Sequence, residues 1–149
     1  MRIEAYIRVV GDEATIRAIH RETGVRNASM KRLKAGRGVS GKEMWWGWKT
    51  AETPIKPDRF DEELQDMLNT HKSIFPILKR NQEKTDIYLE VVSWYDEGEE
   101  PQGLYLSSET VQLLNEMGAA LDNDVVVAVA GKSRNVGHGR RAAHPPSRF

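Results

Sequence analysis

Cysteine is absent from this chain, so no disulfide framework, thiol nucleophile or thiolate metal site can be part of it. That excludes several enzyme and zinc-module classes and suits a reducing compartment. Long apolar runs are missing as well, and nothing approaches the roughly 18 residues that a bilayer-spanning helix needs. The opening Met1-Arg2-Ile3-Glu4 enters an alternating pattern directly, without the charged, apolar and small-residue regions of a secretory signal. The expected location is the cytoplasm, with no membrane partner. Net charge is lacking too, since Lys plus Arg and Asp plus Glu both number 22. The balance is uneven along the chain. Residues 131–149 hold Lys132, Arg134, Arg140, Arg141 and Arg148 and no acid, which leaves residues 1–130 with a net charge of −5.

What remains is the composition of an ordinary globular protein, 39% apolar and 30% charged over 149 residues, enough for one hydrophobic core. The organisation expected is a single α+β domain over 1–130 and a basic tail over 131–149 whose Gly, Arg, Ser and Pro content argues for disorder.

Residues 2–10 alternate, with Ile3, Ala5, Ile7 and Val9 on one face and Arg2, Glu4, Tyr6 and Arg8 on the other, as in a half-buried strand. Asp12 is a good helix N-cap, Ile16, Ile19, His20 and Thr23 follow at helical spacing, and Gly24 supplies a stop. From Arg26 to Lys42 six cations appear without an acid, a loop-like stretch with a weak strand at Met30 to Leu33. Glu43 to Thr50 reads as an aromatic strand closed by Pro54 and Pro57. A helix over Asp58 to His71 carries Phe60, Leu64, Met67 and Leu68 on one stripe, and a second helical segment follows from Ser73 to about Lys84. Thr85 to Tyr95 alternates as a long strand, with Ile87, Leu89 and Val91 facing one way and Tyr88, Glu90, Val92 and Trp94 the other. Gly103 to Leu106 reads as a short one, and Ser107 caps a helix with Val111, Leu114 and Met117 that ends at Gly118. Val125 to Ala130 is a continuous apolar run, read as a strand buried on both faces. This order predicts a mostly antiparallel sheet with helices packed on one face, a ferredoxin-like or related two-layer sandwich.

The first helix ending near Gly24-Val25, the basic Lys34-Ala35-Gly36 loop, Trp46 to Trp48, the acid-capped helix pair from Asp58, and Gly103-Leu104-Tyr105-Leu106-Ser107 leading into Leu113-Leu114 and Ala119-Ala120-Leu121-Asp122 together resemble a known family. It is the bacterial domain of unknown function 4279, and the resemblance covers roughly residues 2–128. It implies a small, single-domain bacterial cytosolic protein and brings no established activity; an immunity-type role in toxin systems is one expectation attached to it. The chain departs from that pattern in its polar Arg26-Asn27, where such proteins often place a proline, and in its basic tail.

Gly36-Arg37-Gly38-Val39-Ser40-Gly41-Lys42 matches a phosphate-binding loop in letters only, because a hydroxyl residue and a helix should follow, whereas Glu43 and a strand-like Met44-Trp45-Trp46 do. The basic loop beside tryptophans invites a single-stranded nucleic-acid reading, against which stands the acidic balance of the rest of the domain. His20, His71, His138 and His144 show no i, i+4 pair of the kind that holds zinc, and no Gly-x-Ser-x-Gly elbow marks a serine hydrolase. No cofactor, metal site or catalytic residue is expected from these patterns. The expected function is a non-catalytic binding or protein-interaction domain of immunity or regulatory type, with a nucleic-acid binder and an enzyme of unknown reaction as alternatives. The candidate binding residues are Tyr6, Arg8, Arg32, Lys34, Arg37, Trp46 and Trp48, on an open sheet face and the basic loop. Self-association through strand edges is left open.

Overall fold

The fold is seen in a computed structural model that describes residues 1–34 and 45–128. Its elements run β1 (Arg2–Gly11), α1 (Glu13–Thr23), β2 (Ser29–Arg32), β3 (Trp46–Lys49), β4 (Thr53–Ile55), α2 (Phe60–Thr70), α3 (Phe75–Arg80), β5 (Thr85–Tyr95), α4 (Ser108–Met117) and β6 (Ala120–Val127). Short 3₁₀ turns at Pro57–Arg59 and Lys72–Ile74 lead into α2 and α3. The sheet order is β2-β3-β1-β5-β6, with β4 also on β1. Every pairing is antiparallel except that of β5 with β6, which α4 links as a crossover.

Local chemistry sets the boundaries. The Asp12 carboxylate accepts from the Thr15 backbone N–H at 2.9 Å and starts α1. Ser107 does the same for α4 through the Thr110 N–H at 3.3 Å. Both helices end on a left-handed glycine, Gly24 and Gly118.

Strand alternation then separates two faces. Ile3, Ala5, Ile7 and Val9 of β1 and Ile87, Leu89 and Val91 of β5 bury against Ile16 and Ile19 of α1, Leu64 and Leu68 of α2, Leu78 of α3 and Met117 of α4. Removing each of the larger of these side chains from water stabilises the fold by about 1.5–3 kcal/mol before the entropy of ordering is subtracted. The result is a two-layer α+β sandwich with a largely antiparallel sheet and its helices packed on one face.

Three sequence expectations need correction. Of the run Val125 to Ala130, residues 129–130 lie outside the described residues, and residues 125–127 end a strand that starts at Ala120; among the described strands it lies at the sheet edge, where Val125, Val126 and Val127 are 43–48% exposed. Apolar content signals a capacity for burial, but only sheet order supplies the neighbours. Gly103 to Leu106 forms no strand, because both edges of β5 are already taken by β1 and β6; Leu104 and Leu106 still pack against the core. Thr53–Ile55 forms a strand across Pro54, which β1 tolerates because proline needs no ladder donor on an outer side.

Candidate functional site

The described helices all pack on one side of the sheet, and register decides what the other side displays. Arg2 lies opposite Trp94, Tyr6 opposite Glu90 and Arg8 opposite Tyr88, while Glu90 pairs across to Asp122 and Val92 to Asp124. β3 adds Lys49 beside Arg8. Cations stand over rings throughout: Arg2 over Trp94 at 4.1 Å, Arg8 over Tyr88 at 4.9 Å and Lys49 over Tyr6 at 4.8 Å. Each such contact contributes about 0.5–1 kcal/mol at a wet surface and holds a charged end in a fixed place.

The centre of the face is Glu90, a carboxylate that is only 5% exposed. Arg8 Nε meets its Oε2 at 2.7 Å, and Arg8 Nη2 lies 3.6 Å from Asp122. The first contact is electrostatic, since neither atom has a well-aligned hydrogen bond. Burial pushes the Glu90 carboxyl above its ordinary value, Arg8 pulls it down, Asp122 and Asp124 push it up again, and a hydrogen bond from Tyr6 lowers it. One guanidinium thus holds together a strip of carboxylates spread over β5 and β6.

The sequence candidates distribute as follows. Arg8 sits in this cluster as a partly exposed side chain. Tyr6 is on the same face but only 2% exposed, roofed by Lys49, so it supports Glu90 rather than the surface. Trp46 and Trp48 are on the opposite face, under the helices, contrary to their assignment as binding residues. Trp48 is fully buried and its Nε1 donates to His20 Nδ1 at 3.2 Å, while Arg17 covers Trp46 at 4.9 Å. The physical reason is register: Trp48 pairs with Val9, a core position, and carries its neighbour two residues back to the same side. Arg32 ends β2 at the far edge, with Lys34 just beyond it, both exposed. Arg37 and the phosphate-loop match lie outside the described residues, as does the basic tail. Sequence reasoning missed Tyr88, Glu90 and Asp122 as site residues; alternation along residues 85–95 placed Tyr88 and Glu90 on one face with Trp94, but their meeting with Arg8 needed the register.

A second concavity, about 450 Å³, opens where Met1 and Ile3 face Arg59, Phe60, Tyr95 and Tyr105. The partly buried carboxylate on its wall is already engaged. Asp61 accepts from Thr110 Oγ1 at 2.6 Å, from the Ser107 N–H at 3.0 Å and from Gln65 Nε2 at 2.9 Å, tying the start of α2 to the cap of α4. Burial alone would raise this carboxyl; the hydrogen bonds outweigh it and hold it below its ordinary value. His71 is lowered by burial alone. Among the described residues no three His, Asp or Glu side chains gather as a metal site, and no helix is long and apolar enough to cross a membrane.

The fold and the face define a two-layer α+β sandwich that presents a charged, aromatic sheet surface. The chain belongs to the family described as Domain of unknown function (DUF4279), whose model matches residues 1–128. No curated protein and no solved structure matches it.

Proposed function

We propose that this chain is a non-catalytic protein-interaction domain of the immunity or regulatory kind, acting in a bacterial cytoplasm and meeting its partner with the open sheet face. The observation that supports this most is the make-up of that face, where pre-positioned cations over Trp94, Tyr88 and Tyr6 alternate with Glu90, Asp122 and Asp124. Aromatic and arginine anchors in fixed rotamers are what protein interfaces concentrate, because little side-chain entropy remains to be lost on binding. The mixed sign of the charge also weighs against nucleic acid on this surface, since a phosphate backbone needs a net positive track. An enzyme is less favoured, because the perturbed Glu90 is roofed by Arg8 and hydrogen-bonded to Tyr6 instead of lining a pocket.

The test is a pull-down from source-organism lysate with and without nuclease, run in parallel with a Trp94→Ala/Arg2→Ala variant. A protein retained after nuclease and lost with the variant supports the reading. Nucleic acid that elutes as salt rises would replace it with the nucleic-acid alternative, and a partner indifferent to the variant would remove the open face from it.

A further inference from the structure

The two edges of the sheet are built differently. At one, β2 is four residues long and carries Lys31 and Arg32, the short and charged form that discourages strand addition. At the other, β6 runs for eight residues with no proline and no lysine. Among the described residues, four of the six exposed large apolar side chains are on it: Leu121, Val125, Val126 and Val127. Among the described residues the helix layer leaves the helix side of this strand partly exposed, with Leu121 at 39%, Val125 at 47% and Val127 at 48%. Ala128 donates its N–H to Tyr95 at 2.9 Å, so the even-numbered backbone groups of β6 point to β5. Those of Leu121, Asn123, Val125 and Val127 therefore point outward, unpaired by any described strand.

We propose that two copies of this chain associate through β6, pairing antiparallel about a two-fold axis at Val125. A two-fold normal to the sheet keeps helix side with helix side, so only pairings of like parity are allowed. Charge then chooses among them. Centring the pair on Asp122, Asn123 or Asp124 sets an aspartate against an aspartate, which is unfavourable for directly opposed strand residues. Centring on Val125 sets Val125 against itself, Asn123 against Val127, Asp124 against Val126 and Asp122 against Ala128, so every aspartate faces an uncharged side chain over the longest remaining overlap. The outward N–H and C=O groups of Val125 then bond their own copies. The same axis leaves both open faces on one side, giving the dimer two contact surfaces in one plane. This inference concerns the sheet edge and stands independently of the proposed function.

The full chain should sediment as a dimer that dissociates on dilution over about a hundredfold range. Because the chain has no cysteine, register can be read directly. A Val125→Cys variant places two sulfurs on Cα atoms roughly 5.5 Å apart, within disulfide range, and should oxidise to a linked dimer. An Asn123→Cys variant sets its Cα atoms about 14 Å apart and should link several-fold less. A Val125→Asp variant puts like charges on the axis and should weaken association at least about tenfold, with circular dichroism showing the monomer folded. A wild-type chain that stays monomeric, an Asn123→Cys variant that links as readily as Val125→Cys, or a folded Val125→Asp variant that dimerises unchanged would each overturn the proposal.

Discussion

Removing Arg8 should strand the Glu90 carboxylate, and the cost should depend on pH. At 2.7 Å, two unit charges attract by roughly 6 kcal/mol at an effective dielectric of about 20, most of which is offset by the desolvation of both groups. Breaking a fully buried pair costs about 3–5 kcal/mol; because the Arg8 side chain is 31% exposed, Arg8→Met should cost about 2–3 kcal/mol at pH 7. For a chain of this length that is roughly 5–10 °C in Tm. Burial raises the Glu90 carboxyl above its ordinary 4.5, so the stability linked to its protonation is full below 4.5 and is lost as pH rises through the folded value. Near pH 4.5 and below, a protonated Glu90 needs no cation, and the Arg8→Met cost should shrink to about 1 kcal/mol, from lost packing and the Tyr88 contact. Urea unfolding followed by tryptophan fluorescence, at both pH values, measures this directly. Adding Glu90→Gln to Arg8→Met should restore at least half of the pH 7 loss. An Arg8→Met cost that is equal at the two pH values, or a double variant no better than the single one, would refute the assignment of Glu90 as a buried charge that depends on Arg8.

Other variants probe the frame around the site. Asp61→Asn should destabilise by about 1.5–3 kcal/mol in denaturant titration, since it weakens the hydrogen bonds from Thr110, Ser107 and Gln65. It should also flatten the acid limb of the stability profile, because a carboxyl held below its ordinary 3.8 contributes stability that is present above 3.8 and lost as pH falls through the folded value. Gly118→Ala should cost about 1–2 kcal/mol, read as a lower midpoint at unchanged slope, because φ there is +73° and a Cβ would come within 2.9 Å of Gln82 Oε1. Trp48→Phe should cost about 1–3 kcal/mol, from the volume lost in the core and the unpaired His20 nitrogen, with calorimetry as the check.

Much of the architecture could be read from single-residue signals acting over one or two turns of chain. Asp12 and Gly24 bound α1, Ser107 and Gly118 bound α4, and the alternation in residues 85–95 marks β5 to its ends, because caps and period-two patterning act locally and need no distant partner. The same patterning assigned Ile3, Ala5, Ile7 and Val9 to the core and left Arg8, Tyr88, Glu90 and Trp94 on the other side.

What local pattern lacks is adjacency. Nothing in Val125, Val126 and Val127 distinguishes a central strand from an edge one; that depends on whether chain exists to pair with the outer side. Leu104 and Leu106 alternate inward like strand residues, yet they have no ladder because β5 is flanked on both sides. The chemistry of Trp46 and Trp48 points to a binding surface, but the pairing of Trp48 with Val9 puts Trp48 in the core and Trp46 partly buried against it.

The sequence by itself determined the class of fold, the limits of the capped helices α1 and α4 and the division of the long strands into an apolar and a polar side, since each follows from local sterics, capping and hydrophobic period; the segment read as helical from Ser73 to about Lys84 is helical only over Phe75–Arg80. Only the tertiary structure decided which strand lies at the edge and which residues meet across strands. The Arg8, Glu90 and Asp122 cluster joins positions far apart in the chain, and a long-range register is set by the packing of the whole core, not by any one segment.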